Sequence, residues 1–587
     1  MSRLSRQEYA ARYGPTTGDR VRLADTGLWV EVEADDVAPG DELVGGCGKT
    51  ARDGVLVTAG ERQGYPRTAL EDHKARGGRK GRGKHTAAAR YSALDLIITN
   101  VLVLDPLLGV RKTSIGIAEG RIVGTGRAGN PDVQSGVDLV VDSHTAIVPG
   151  EGLIATAGIV DSHVHLSSPQ IAPAALAAGI TTIVGMGTGG VWDVGANPWA
   201  NMGSLVRGWA QVPLNAAFLA RGSSRSASLL EQAVVYGAGG FKVHEDWGAT
   251  PEQVDTCLGV AEAWGLPVAL HTDTLNESGY LADTIAATAG RTVHAYHVEG
   301  GGGHPDVLSI LNWPHVLGSS TTPTLPLTVA TAAELLPMTM TVHKLHPRVP
   351  SDGGVARSRV RRHAIAAENR LHDLGAIPII NSDSMGMGRI GEVARRTWQL
   401  AHVQAMLAGQ AGPAVANNAR VLRYLAKLTL NPAIAHGMAA HVGSLAAGRL
   451  ADIVLWDPAR FGVTPELVLK AGFVAWGATG SGSGSTRLGQ PRVMAPFWGG
   501  LGAAPRHLSF VFIAREARLM GGLTDRDERR YLPIERARGL TRADMVRNDV
   551  VPVVSVPPGD APVTVNGAEV PVHEASELPL TRLHSLG

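Results

Sequence analysis

IVDSHVHL, residues 159–166, reads as a strand that runs out into three polar residues, Asp161, His163 and His165. In an extended strand, residues two apart share a face, so His163 and His165 can point at one ion. The H-x-H spacing alone fits a structural pair equally well. Its place directly behind the run ATAGIVD (155–161) favours the ion. Seven further strand-like segments follow, with helical stretches between most of them: ITTIVGMGT (180–188), PLNAAFLA (213–220), GFKVHEDW (240–247), PVALHTD (267–273), RTVHAYHVE (291–299), HVLGSSTT (315–322) and IPIINSDS (377–384). Eight such units imply an α/β chain closing a parallel (β/α)8 TIM barrel, expected over residues 151–435. In that architecture the C-terminal ends of the strands carry the chemistry.

Polar residues fall at those ends. In the fourth segment Lys242 and His244 share a face by the same two-residue period. A lysine at a barrel mouth among histidines is costly as a cation, and burial with positive neighbours favours its neutral amine. A neutral amine can add carbon dioxide and become a carbamate, whose two oxygens suffice to bridge two metal ions. The competing reading is an ordinary ion pair of Lys242 with Glu245 or Asp246. The fifth segment supplies His271, the sixth His294 and His297, and the eighth Asp383. One histidine on a strand is usually a satisfied core residue. Here most of the eight ends would need that explanation together with a lysine and an aspartate. Imidazoles with carboxylate oxygens suit a borderline divalent metal, and two such ions can generate hydroxide and polarise a carbonyl together. His294 lies three residues before His297, so strand alternation places it on the opposite face and outside the ligand set.

The barrel is set into a β-rich frame. LDLIITNVLVLD (94–105), SIGIAEGRIVGTG (114–126) and VDLVVD (137–142) read as short strands, and GSLAAGRLADIVLWDP (443–458) as a returning piece. A β-sandwich built from an N-terminal region, 1–150, and a post-barrel region, 436–587, is therefore expected. Residues 460–587, irregular and rich in Pro and Gly, read as a covering extension. The 587 residues exceed what one core accommodates, and 44% hydrophobic with 18% charged residues is a globular composition. A net charge of +1 gives no overall field for nucleic acid or membrane. Two cysteines, Cys47 and Cys257, exclude a disulfide scaffold and suit a reducing compartment. No apolar leader opens the chain, so the cytoplasm is the expected location. KARGGRKGRGK (74–84), inside an unusual insert near 62–90, holds six basic residues and no acid. It reads as a solvated loop, with a contact for nucleic acid or an acidic partner as the sharper alternative. GGCGKT (45–50) is one residue short of a phosphate-binding loop and has no apolar strand leading into it.

On longer runs the sequence resembles the urease alpha (catalytic) subunit family. SRQEYAARYGPTTGDRVRLADTGLWVEVE (5–33) is similar to that family's opening, and TAGIVDSHVHLSSP (156–169) to its nickel-ligand signature. FKVHEDWGATP (241–251), ALHTDTLNESG (269–279), HAYHVEG (294–300), SRVRRHAIAAENRLHDLGA (358–376) and LNPAIAHGMAAHVGSLAAGRLADIVLW (430–456) follow it closely. The resemblance implies two nickel ions per chain, with Lys242 as the carboxylated bridging lysine. It implies His271 and His297 on one ion, and His163, His165 and Asp383 on the other. His244 would hydrogen-bond the oxygen of urea. His343, on a mobile flap near 336–359, would be the general acid, with Arg359 as its companion and Asp246 orienting it. It further implies separate beta- and gamma-type subunits, a trimer of heterotrimers and accessory proteins that load nickel and carbon dioxide.

The departures fall around those residues. The flap reads Val342-His343-Lys344 where the family usually has Cys-His-His, and HPRVPSDGGVA (346–356) replaces its usual continuation. GTGGVWDVGANPW (187–199) and the Gly-rich run after His297 are shorter than usual, and LPLTRLHSLG (578–587) lacks the family's aromatic ending. The same scaffold and metals would also serve another amide substrate, and the altered flap would suit a non-catalytic paralogue.

Overall fold

The structure is a computed structural model describing residues 4–37, 94–129, 134–141, 145–186, 199–271, 281–299, 305–480, 493–520, 522–523 and 530–581, with the backbone alone at 65–66 and 91–92. The segment 74–84, Cys47, residues 187–198 and the run 300–304 lie outside the described residues.

Eight strands, β1 (Ile159–His165), β2 (Ile180–Met186), β3 (Asn215–Arg221), β4 (Gly240–Val243), β5 (Val268–His271), β6 (Val293–Tyr296), β7 (Val316–Thr321) and β8 (Ile379–Asn381), pair in chain order. Every pairing is parallel. Each strand coincides with one of the eight apolar segments. They are buried throughout or nearly so, as strands covered on both faces must be. Crossovers carry the intervening helices. The one after β4, α1 (Pro251–Trp264), has its boundaries written in sequence. Thr250 and Gln253 form a reciprocal capping box, Pro251 occupies the first turn, and Gly265 at φ 66° ends it in the left-handed conformation.

The seam between β8 and β1 is closed differently. A bridge joins Val164 to Ser384, and His165 N donates to Ser384 O at 2.9 Å. Below it Asp161 Oδ1 accepts from Ser382 N at 3.0 Å, so a side chain supplies what a regular ladder would. Between β7 and β8 run three helices, α2 (Thr331–Val342), α3 (Pro350–Ser358) and α4 (Arg362–Leu374). The first two span the expected flap.

A ten-stranded sheet stands beside the barrel. In it Ile154–Ala157 lies between two strands remote from each other in sequence, parallel to Leu96–Asp105 and antiparallel to Ile453–Trp456. It packs around its own apolar cluster, including Ile98, Val103, Ile115, Ile453 and Leu455. Lys470 and Asp452 tie this sheet to the barrel. The buried Lys470 Nζ reaches Asp452 and, at 3.1 Å, Thr181 O, while Asn215 Nδ2 at the foot of β3 donates to the same aspartate. In the C-terminal extension Phe510–Ile513 adds in parallel to β3, and Arg530–Pro533 adds to it. Among the described residues no helix is long and apolar enough to cross a membrane.

Candidate metal centre

The strand ends converge on one buried cluster. Asp383 Oδ1 lies 3.3 Å from His163 Nε2 and 3.0 Å from His165 Nε2, and its Oδ2 lies 3.6 Å from His297 Nε2. Lys242 Nζ is 3.1 Å from His163 Nε2. His163, Lys242, Asp383 and His297 are each no more than 4% exposed. The His271 ring stands edge-on to His297 with centroids 4.8 Å apart, and His244 stacks on His271 at 4.1 Å. Five of the expected ligands thus meet at hydrogen-bond range or slightly beyond. His271 and His244 form a second group beside them.

Two local distortions aim these side chains. His297 and Asp383 both adopt the left-handed region, φ 52° and 53°, which is costly for a residue with a Cβ and is maintained where the surroundings over-determine it. The turn at His297 breaks strand alternation. Tyr296 stacks on His163 at 3.8 Å and donates to Ser162 O, yet the next residue, His297, also reaches the cluster. This corrects the alternation argument for His294. His294 shares the face of Tyr296, standing edge-on to its ring at 4.7 Å, and stays out of the cluster because its Nδ1 bonds His436 Nε2 at 2.9 Å. Asp383 is held by the turn that follows it, in which Met387 N donates to Oδ2 at 3.1 Å. Gly386 packs so closely that an added Cβ would stand 2.5 Å from Asp383 Oδ1.

Electrostatics agree with a cation site. Burial holds the His163 imidazole well below its ordinary value, with Lys242 and His297 adding to the effect, and pulls His297 down to about 3. Both rings are therefore neutral and offer lone pairs. Burial alone would raise Asp383, but His165, His297 and Lys242 outweigh it and keep the carboxyl well below the carboxylate range. His163 Nδ1 is buried without a hydrogen-bond partner. An anionic oxygen facing neutral ring nitrogens is a donor set that a divalent ion of borderline softness satisfies. His163, His297 and Asp383 form one candidate ligand group, and His244, Glu245 and His271 form another.

The remaining expected residues sit on the rim. His343 caps α2, and its Nε2 lies 3.3 Å from Arg359 Nη1 at the end of α3. Burial and then the Arg359 guanidinium bring His343 down to about 4. Arg359 and His297 line the same small cavity of about 10 Å³, room for one water. Asp246 lies in the turn Glu245–Trp247, and its side chain is outside the described residues. Sequence reasoning gave no role to Tyr296, to the Gly386–Met387 turn or to Glu245 as a histidine partner. For the turn, a signal was present in the glycines of DSMGMG (383–388). Glu245, weighed as an ion-pair partner of Lys242, instead bonds His271 Nδ1 at 3.0 Å.

Comparison with known proteins adds the lineage. The amidohydrolase family matches residues 154–487, and the urease alpha-subunit N-terminal domain matches 2–72 and 70–148. The urease subunit alpha of Sulfurisphaera tokodaii is 46% identical over 588 residues, covering 99% of each chain. Urease subunit alpha 1 of Streptomyces avermitilis is 47% identical, covering 98% of this chain and 99% of its own, and urease subunit alpha 2 of Streptomyces coelicolor is 46% identical over the same shares. With full-length identity at that level and a barrel whose strand ends gather histidines, a lysine and an aspartate, the chain belongs to the urease alpha-subunit family and is an enzyme.

Proposed function

We propose that this enzyme hydrolyses urea to ammonia and carbamate at two nickel ions bridged by Lys242 after its amine has added carbon dioxide. The observation that carries the reading is the convergence of Lys242, His163, His165, His297 and Asp383, with His271 alongside, in a urease alpha-subunit relative. His163, His165 and Asp383 would hold one ion, His271 and His297 the other, and carboxylated Lys242 both. When bound, the ions supply Lewis acidity toward a carbonyl oxygen and an acidified water.

The chain's own groups do the rest. His244, which stacks on His271, would hydrogen-bond the urea oxygen. When protonated, His343 would give a proton to the leaving nitrogen. Burial, and then the Arg359 guanidinium, disfavour the imidazolium, so protonated His343 is a stronger acid than a free histidine. Asp246 would orient it. Helices α2 and α3 would exclude bulk water by closing over the mouth. By the same kinship the chain works with beta- and gamma-type subunits as a trimer of heterotrimers, in the cytoplasm, loaded by accessory proteins. Within it, 1–150 and 436–587 would frame the barrel of 151–435.

Metal analysis of Lys242→Ala, prepared with and without bicarbonate, tests the bridge. The variant should lose tight binding of at least one ion under both conditions. Retention of both at wild-type affinity would contradict the assignment.

A further inference from the structure

The C-terminal extension does more than cover the barrel. It reaches both roots of the flap, residues 327–330 ahead of α2 and 360–362 ahead of α4. The two roots share one apolar cluster. Leu327, Leu335, Ile365 and Ala366 are buried in it, and Val572 of the extension packs against it together with Met387 from the turn after Asp383. At the first root Ala575 N donates to Leu327 O at 3.0 Å, and Ala575 O accepts from Val329 N at 3.2 Å, a parallel bridge to Thr328. At the second, Glu574 Oε1 lies 2.8 Å from Arg362 Nε. Asp560 Oδ1 accepts from His363 N at 3.0 Å. That amide lies in the first turn of α4, whose N-cap Arg361 makes no side-chain cap bond, so the extension supplies the missing acceptor.

The extension is itself fixed on either side of these contacts. Before them, Val554 N donates to Asn312 Oδ1 at 2.7 Å, and Asn312 Nδ2 donates to Val554 O at 2.9 Å. After them, Leu580 is fully buried, its N donates to Asp25 Oδ1 at 2.9 Å, and Pro579 O accepts from Gln399 Nε2 at 2.8 Å. The flap between the roots has little hold of its own. In α2 the buried side chains are Thr331, Leu335 and Thr339, which stop short of His343, and in α3 only Ala356 is buried. A segment with few buried contacts moves about its ends, so whatever holds the ends sets its resting place.

We infer that residues 572–575 anchor the flap at both roots and thereby position His343 for the reaction, with Val572, Glu574 and Ala575 as positioning residues. This rests on the reading of α2 and α3 as the flap that carries the general acid. The three residues act through the flap, by a wedge in the shared cluster, an ion pair at the return and two backbone hydrogen bonds at the start. Because one short stretch holds both roots, the two hinges move together, and His343 and Arg359, one on each arm of the flap, keep their 3.3 Å approach.

The test uses the nickel-loaded complex and compares wild type with Ala575→Pro, which removes the donor to Leu327, and Ala575→Gly, which keeps it. Hydrogen exchange followed by mass spectrometry reads the hold on the flap, and urea kinetics read its placement. In Ala575→Pro, exchange across residues 329–345 should rise about fivefold, the worth of one backbone hydrogen bond, with the barrel strands unchanged. At wild-type nickel content kcat should fall about tenfold and KM should stay within about twofold, because the contacts expected for urea lie on the barrel strands and the acid acts in the transition state. Ala575→Gly should stay close to wild type in both readings. Should the proline unfold the chain, Glu574→Arg decides: set against Arg362 it should lower kcat, and Arg362→Glu added to it should restore the rate. Wild-type exchange in Ala575→Pro, faster exchange with an unchanged kcat, or no rescue in the charge swap would overturn the inference. A wild-type complex that releases no ammonia would refute the proposed substrate, and the exchange measurements would still decide the anchor.

Discussion

Gly386→Ala places a methyl group where the metal centre has no room. The added Cβ would lie 2.5 Å from Asp383 Oδ1, 3.0 Å from Asp383 Cγ and 3.1 Å from His165 Cδ2. Ordinary carbon–oxygen contact begins near 3.4 Å, so about 0.9 Å of displacement is required. Asp383 cannot rotate freely to give way, because Met387 N holds Oδ2 and the residue already sits at φ 53°. Metal–ligand distances tolerate only about 0.2 Å of error, so a carboxylate moved several times that far no longer completes the site. Nickel titration of the bicarbonate-treated protein should show one of two sites weakened at least about tenfold, the range seen when a supporting partner is lost. Gly391→Ala is the control: it lies five residues on, and its Cβ would meet nothing within 4 Å. It should bind as wild type does. Unchanged affinity at both sites in Gly386→Ala would refute the claim that this turn sets the Asp383 carboxylate.

His343→Ala should lower kcat for urea by about 10²–10⁴-fold while nickel content stays at wild-type level; an unaltered rate would remove the flap histidine from the acid role. Acid stability should depend on the buried pair His294 and His436. Burial brings His436 down to about 3, so below its unfolded value near 6.5 the unfolded chain binds a proton that the folded one does not. Stability therefore falls with falling pH by about 1.4 kcal/mol per unit from that residue alone, and denaturant unfolding between pH 6.5 and 5 should show a shallower loss in His436→Gln. Bulky maleimides should leave Cys257 of the native protein unmodified, since burial pushes its thiol up to about 12, whereas Val342→Cys, on a groove of about 460 Å³ beside α2, should become thiol-sensitive. Rapid labelling of native Cys257 by mass spectrometry would contradict the burial argument.

The barrel was legible because each strand announces itself twice, by a short apolar run and by the polar residues where it stops. Asp161, His163 and His165 after ATAGIV, and Lys242 and His244 after GGF, mark the same end of two strands without any knowledge of pairing. Alternation then became misleading where the backbone leaves the β region. At His297 a left-handed residue brings two consecutive side chains, Tyr296 and His297, to one cluster, and no period of two anticipates that. The closure of β8 on β1 was hidden for a related reason, because Asp161 and Ser384 do the work of a ladder through a side chain and a single bridge. Glu245 was visible in sequence as an acid near Lys242, but choosing between lysine and histidine as its partner needs the three-dimensional approach of β5 to β4.

The most direct test of the whole account is the initial rate of ammonia release from urea by the nickel-loaded complex, prepared with bicarbonate and compared with the same complex carrying Lys242→Ala. Steady ammonia release by the wild type, abolished in the lysine variant, is the result the account predicts. No ammonia from a wild-type complex that holds two nickel ions per chain, or an equal rate from Lys242→Ala, would contradict it.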